Sequence, residues 1–177
     1  MDARLRAIQR AWADRQEPLD HQAVYGVVDT TFAVAAMGPR AIDELHACGV
    51  ADDRIRYLTV PGFKDLGVAA RRLFARGCDI VLCCGMAGPE AIDKQCAQDA
   101  SIGMQMAQQA TGKHVLEVIV HMDETDDPQE LVRVVDDRVR EHARNAHRLM
   151  EAPHEMTLRA GTGRRQGFED VGAIDGA

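Results

Sequence analysis

Val60-Pro61-Gly62-Phe63-Lys64 is the stretch on which the reading of this chain turns. It closes an apolar run, Ile55-Arg56-Tyr57-Leu58-Thr59-Val60, with the character of a strand, and it opens a helical pattern, Asp65-Leu66-Gly67-Val68-Ala69-Ala70-Arg71-Arg72-Leu73-Phe74. Pro61 stops strand pairing because it has no N–H to donate. Gly62 permits a sharp turn and lets a ligand approach the backbone closely. The first amides of the helix that follows have no acceptor within that helix. A strand end feeding a helix start is where open parallel α/β sheets bind their ligands. Val60, Pro61, Gly62 and Lys64 are therefore candidate ligand contacts.

The same unit recurs on both sides of this turn. Residues 25–28 form a short apolar strand, followed by Asp29-Thr30-Thr31-Phe32 and a helix over 37–48. Cys78-Asp79-Ile80-Val81-Leu82-Cys83-Cys84 is almost continuously apolar, as expected of a parallel strand covered on both faces. A loop, Gly85-Met86-Ala87-Gly88-Pro89, leads into a helix over 92–111, and a fourth strand spans 114–120. The last long helix starts at Asp127-Pro128-Gln129-Glu130, with Asp127 as N-cap, Pro128 at N1 and Glu130 placed to complete a capping box. It runs to Met150, and Pro153 marks its end. Gly49, Gly77 and Gly112 stand where helices hand over to strands, as left-handed caps do. Four β-α repeats predict a three-layer α/β sandwich, a flavodoxin-like four-stranded parallel sheet with helices on both faces.

The chain has 177 residues, enough for one domain with a sizeable core, and no composition break divides residues 1–177. Residues 1–22 are an N-terminal helical extension with Leu5, Ile8 and Trp12 on one face, stopped by Pro18 and Asp20. Residues 161–177 are an irregular tail reaching towards a neighbouring subunit. Lys plus Arg number 21 against 28 Asp plus Glu, a net charge of −7, which argues against a nucleic-acid binder. No run approaches the roughly 20 apolar residues of a spanning helix, and the N-terminus has no apolar signal core. A cytoplasmic protein follows, and its five cysteines are then buried thiols rather than disulfides. Cys83 and Cys84 point to opposite faces of their strand.

Several groups bear chemistry. Phe32 follows a strand end in a chain with only 4% aromatic residues, and its ring suits stacking on a flat heterocycle. Lys64 and Lys94 lie near helix starts, where an ammonium can polarise a carbonyl. His121 stands at the end of the fourth strand, in the position of a base. The acidic run His121-Met122-Asp123-Glu124-Thr125-Asp126-Asp127 could hold a divalent cation through carboxylate oxygens, or simply be a solvated loop that caps the next helix. His142 and His147 are five apart and do not share a helix face, so no metal pair is assigned. Gly161-Thr162-Gly163-Arg164-Arg165-Gln166-Gly167 fails as a dinucleotide fingerprint, since its last glycine is one position late and no strand precedes it.

Taken together, these motifs resemble the archaeal-type riboflavin synthase family. The likeness runs through Val28-Asp29-Thr30-Thr31-Phe32-Ala33, Val60-Pro61-Gly62-Phe63-Lys64-Asp65-Leu66, Gly77-Cys78-Asp79-Ile80-Val81, Gly85-Met86-Ala87-Gly88 and Asp93-Lys94-Gln95-Cys96-Ala97. It continues through Ala100-Ser101-Ile102-Gly103, Lys113-His114-Val115-Leu116-Glu117-Val118, His121-Met122-Asp123-Glu124 and Arg165-Gln166-Gly167-Phe168-Glu169-Asp170-Val171-Gly172. It covers nearly all of the chain after the first helix, and the extension before Gln22 departs from it. The resemblance implies a fold akin to 6,7-dimethyl-8-ribityllumazine synthase and a homopentamer with sites between subunits. It implies a dismutation of two 6,7-dimethyl-8-ribityllumazine molecules to riboflavin and 5-amino-6-ribitylaminouracil. No tightly bound cofactor is implied, while magnesium is expected to favour activity. On this reading His121 and Lys94 are catalytic, and Thr31, Phe32, Val60, Pro61, Gly62, Lys64, Gly85, Met86 and Glu117 bind substrate. The alternatives are lumazine synthase, whose family typically carries a histidine in the loop after its third strand where residues 85–93 have none, and a non-catalytic lumazine or flavin carrier.

Overall fold

The computed structural model describes residues 3–13 and 21–174. The elements run α1 (Ala3–Ala13), β1 (Tyr25–Thr30), α2 (Met37–Ala47), β2 (Ile55–Val60), α3 (Leu66–Phe74), β3 (Ile80–Ala87), α4 (Ala91–Thr111), β4 (His114–His121), α5 (Pro128–Glu151) and α6 (Pro153–Leu158). The four strands form one parallel sheet in the order β2-β1-β3-β4. The chain moves from β1 outward to β2, then crosses back to β3 on the other side of β1. The order therefore reverses between β1 and β3, and their C-terminal ends flank the switch point where such sheets bind ligands.

Each face of the sheet has its own core. Tyr25, Val27, Ile80, Leu82, Cys84, Met86, Val118 and Val120 pack under α2 and α5, together with Met37, Leu45, Val135 and Val139. Val28, Val81, Cys83 and Val115 pack under α3 and α4, with Leu66, Leu73, Ala100 and Met104. Cys83 and Cys84 fall in different cores, as the two-residue period of a strand requires. All five cysteines are free thiols, three of them buried.

Charged anchors tie the layers together. Glu44 of α2 is buried and accepts hydrogen bonds from Arg140 (3.0 Å) and Arg144 (2.6 Å) of α5. Asp79, just before β3, accepts from the Val24 amide at 2.9 Å, meets His21 at 2.9 Å and faces Lys113 at 3.5 Å. Burial pushes both carboxyls up, but these partners outweigh it and hold both below their ordinary range.

Several boundaries differ from the sequence expectation. β1 extends to Thr30, because Asp29 and Thr30 still pair with Thr59 and Val60. β3 begins at Ile80 and continues to Ala87, paired with His121, so Gly85 and Met86 lie in a strand and not in a loop. Pro153 opens α6 instead of merely ending α5, since a proline costs nothing at a first helical turn. Asp127 caps α5, accepting from Gln129 N at 2.8 Å, but the capping box is not closed. Thr125 takes the Asp127 amide, and Glu130 pairs with Arg133. Gly49, Gly77 and Gly112 adopt φ of 88°, 89° and 65°, as left-handed caps. The tail folds back on its own chain, with Gly167 N donating to Asp137 of α5 at 2.6 Å and Val171 N to Gly163 O at 3.0 Å. In α1, Ile8 is exposed; the proposed stop at Pro18 and Asp20 and the side chains of Leu5 and Trp12 lie outside the described residues.

A carboxyl whose native pKa lies below its unfolded value stabilises the fold above that unfolded value, and the contribution is lost as pH falls through the native one. Glu44, Asp79 and Glu124 all lie low in this way. Unfolding free energy measured by urea titration should therefore be flat near neutrality and fall as pH drops below the ordinary carboxylate range. Glu44→Gln should cost about 3 kcal/mol at pH 7, as removal of one partner from a buried ion pair does, and should flatten that acid limb.

Candidate functional site

The strand ends form a step. Val28 stands opposite Cys83, and β1 ends two residues later at Thr30, whereas β3 continues from Cys83 through Ala87. With a rise of roughly 3.3 Å per residue, the β3–β4 edge projects about 7 Å beyond the β1–β2 edge. The lower edge carries the aromatic wall. Thr31 N donates to Val60 O (3.0 Å) and Thr31 Oγ1 to Pro61 O (3.0 Å), which clips the end of β1 to the turn after β2. Phe32 is 75% exposed, and its ring lies on Gly62, where an added Cβ would meet ring carbons at 3.1 and 3.2 Å. Thr31, Phe32, Val60, Pro61 and Gly62 are thus brought together.

Residues 63–65 form a 3-10 turn leading into α3. Phe63 swings under the step and packs on the α3–α4 core, its ring pressed against the backbone of Gly85. A Cβ at Gly85 would lie 2.6 Å from the Phe63 ring, so glycine is needed there for close approach. Met86 does not line the crevice with its side chain, because alternation along β3 sends it into the opposite core. Lys64 stays exposed and faces Asp99 of α4 at 3.7 Å.

The upper edge carries the polar groups. His121 ends β4 and, like Glu117, falls on the α3–α4 face by strand alternation. Glu117 pairs with Cys83, four residues down the strand and roughly 13 Å from His121. His121 Nδ1 is buried and has no hydrogen-bond partner among the described residues. The amide of His121 donates to Glu124 at 2.8 Å, and Glu124 is held by both Nη atoms of Arg138 at 2.6 Å. Burial raises the Glu124 carboxyl, but Arg138 and the His121 amide hold it below its ordinary range. Lys94, in the first turn of α4, reaches Asp123 at 2.5 Å, and that hydrogen bond lowers the Asp123 carboxyl. Lys94 and His121 are therefore neighbours through the acidic loop.

That loop is a poor cradle for magnesium. Asp123 is held by Lys94, Glu124 by Arg138, and Asp127 caps α5. Among the described residues, no group of three or more His, Cys, Asp and Glu stands where it could hold a metal ion. A cavity of about 540 Å³ lies elsewhere, between α5, α6 and the tail, with Asp137, Glu141, Met156, Arg159 and Phe168 in its lining. It contains none of the strand-end residues.

Three participants escaped sequence reasoning. Asp29 is buried at the end of β1, where it accepts from Gly38 N (3.2 Å), Tyr57 Oη (2.8 Å) and Thr59 Oγ1 (2.6 Å), so it fixes the start of α2 and the end of β2. Phe63 lay inside the quoted turn but was given no role of its own. Arg138 left a signal: it interrupts the apolar stripe Val134, Val135, Val139, Ala143 of α5, and a charge on such a stripe asks for a buried partner.

A parallel α/β sheet of order 2-1-3-4, with an exposed ring on one side of its switch point and an unpaired imidazole nitrogen on the other, defines a small-ligand-binding protein of the flavodoxin-like class. The profile of the 6,7-dimethyl-8-ribityllumazine synthase family matches residues 22–154, and the chain belongs to that family. It is 48% identical over 152 residues to a protein of Methanothermobacter marburgensis named riboflavin synthase, covering 84% of this chain and 97% of the relative. Proteins of the same name from Archaeoglobus fulgidus and Aeropyrum pernix are each 43% identical over 150 residues, covering 84% of this chain and 97% and 96% of their own lengths.

Gly85→Ala should displace the Phe63 ring and cost about 1–3 kcal/mol, the usual price of overpacking. Chemical denaturation measures the loss. Gly85→Ala combined with Phe63→Leu should recover part of it, since the clash is with the ring.

Proposed function

We propose that this protein is a riboflavin synthase, converting two molecules of 6,7-dimethyl-8-ribityllumazine into riboflavin and 5-amino-6-ribitylaminouracil. The observation that carries the reading is the 48% identity over nearly the whole length of an archaeal relative of that name. The site chemistry agrees with it. The reaction begins with loss of a proton from an acidified ring methyl and proceeds between two heterocycles that must be held face to face. Orientation of two reactants supplies much of such a rate.

In this reading Phe32 stacks on one lumazine, with Thr31 and the Val60-Pro61-Gly62 turn beneath it. The first amides of the helical turn after Gly62 meet the polar edge of the ring. The imidazole of His121, partly exposed at the end of β4, takes the methyl proton. Lys94, steadied by Asp123, polarises a ring carbonyl. Glu117 lies further down β4 and serves the ribityl chain, while Gly85 and Met86 contribute backbone only. Lys64 remains at the margin as an anion contact. The ends of β1 and β4 are separated by β3, about 10 Å across the sheet, comparable with a bicyclic heterocycle. Phe32 is left exposed on a single chain, which suits completion of the site by a second copy, and a homopentamer is the assembly proposed. The enzyme works without a tightly bound cofactor. Among the described residues no helix is long and apolar enough to cross a membrane, and a cytoplasmic location is part of the proposal. The family profile is named for the neighbouring reaction, but residues 85–93 lack a histidine.

Purified protein given only 6,7-dimethyl-8-ribityllumazine should yield riboflavin and the ribitylaminouracil in equal amounts, followed by absorbance and chromatography. Lumazine unchanged after prolonged incubation, with and without magnesium, would overturn the reading, and binding without turnover would mark a carrier. His121→Ala should lower turnover by about 100-fold with little change in affinity. Phe32→Ala should mainly weaken binding, by roughly 1–3 kcal/mol. Light scattering should give the mass of a pentamer, and an active monomer would sink the shared-site arrangement.

A further inference from the structure

We propose that the tail segment 165–168 is a clamp that positions the strand end carrying His121, acting through Arg138 and Glu124. The proposal rests on the reading that His121 stands in the reaction site.

The chain of contacts is continuous. Arg138 is only 8% exposed, on the inner side of α5. Its guanidinium donates to Ile119 O of β4 at 2.9 Å and to both oxygens of Glu124 at 2.6 Å. Glu124 Oε1 in turn accepts the amide of His121 at 2.8 Å. One side chain thus fixes β4 two residues before His121 and the loop three residues after it. The Met122 amide adds a bond to Ala87 O at 2.8 Å, which ties this end of β4 to β3.

The tail covers the other side of Arg138. The Phe168 ring centre lies 5.3 Å from the Arg138 guanidinium carbon and 4.6 Å from that of Arg165, so the ring sits against two cations. Gly167 has a φ of 78°, and a Cβ there would fall 2.7 Å from Arg138 Nη2. The backbone is therefore pressed onto the guanidinium as only glycine allows. Anchors on α5 flank this contact. Gly167 N donates to Asp137, and His142 stands beside Arg138 one turn further along α5, its ring pushed by burial down to a pKa of about 4 and so neutral. Asp170 accepts from Arg165 N at 2.9 Å and folds the segment into a compact turn.

Covering the ion pair matters because an exposed guanidinium–carboxylate pair is weak in water, whereas a desolvated one is rigid. A base displaced by about an ångström loses rate by up to about 100-fold, while substrate contacts on the opposite wall are untouched. Arg138, Glu124 and Phe168 are thus positioning residues.

Phe168→Ala tests the clamp in the full-length protein. Exchange of the His121 backbone amide with solvent, read by NMR, should quicken by at least about tenfold. Turnover should fall by about 10- to 100-fold with KM within about twofold, and Phe168→Tyr should restore both. In a His121→Ala background, Phe168→Ala should cost nothing further, because both act on one group. Unchanged exchange at His121, or a full additional loss in the double variant, would overturn the clamp. The exchange result stands whether or not the wild-type protein turns over lumazine, so failure of the functional reading is told apart from failure of this one. Should Phe168→Ala not fold, Arg165→Ala, which removes only the second cation from the ring, carries the same exchange test.

Discussion

Strand β3 is buried along all eight of its residues, and the rest of the structure follows from that constraint. A parallel strand surrounded on both faces must be apolar throughout, and the two thiols it carries, Cys83 and Cys84, are kept protonated and inert by burial. Its neighbours must supply helices to both faces, which gives two cores divided by one sheet. Chemistry is then confined to strand ends and to the edge strand β4, where Glu117 and His121 escape full burial. Even at its own end β3 contributes backbone and not side chains: Gly85 yields its space to Phe63, and Met86 turns into the opposite core.

The candidate site is accordingly assembled from two pairs of strands with different characters. The β1–β2 pair offers a flat apolar wall, held by Asp29 below and by the Thr31–Pro61 clip above. The β3–β4 pair projects further and offers nitrogen bases and cations. A ring laid on Phe32 meets a step whose riser is polar. That division suits a reaction in which placement of two flat molecules does most of the work and a single proton must be taken from one of them.

Ion pairs in this molecule act as joints between layers. Glu44 joins α2 to α5, Asp79 gathers the chain before β1 and the start of β4 around β3, and Glu124 with Arg138 joins α5 to the end of β4. Each carboxylate is buried enough that its partners must be in place, which makes them sources of fixed geometry more than of net stability. The acidic run after β4, the natural place to look for a metal, is spent on such joints.

The sequence by itself determined the β-α order, the helix caps and the strand-end location of Val60-Pro61-Gly62 and Phe32. These are local matters, set by periodicity and by residues whose backbone chemistry allows few alternatives. It also determined that Cys83 and Cys84 part to opposite faces, since a strand has a period of two. Strand ends at residues 28 and 84 were legible only to within three residues, because whether Asp29 or Gly85 remains in a ladder depends on what the neighbouring strand offers. Tertiary structure alone decided the switch point between β1 and β3, the turning away of Met86 and the pairing of Lys94 with Asp123. It alone placed Glu124 and the tail on Arg138, partners 14 or more residues distant in sequence. Such contacts have no local signature: a charge on an apolar helix face announces that a partner exists, and only the folded chain says which one arrives.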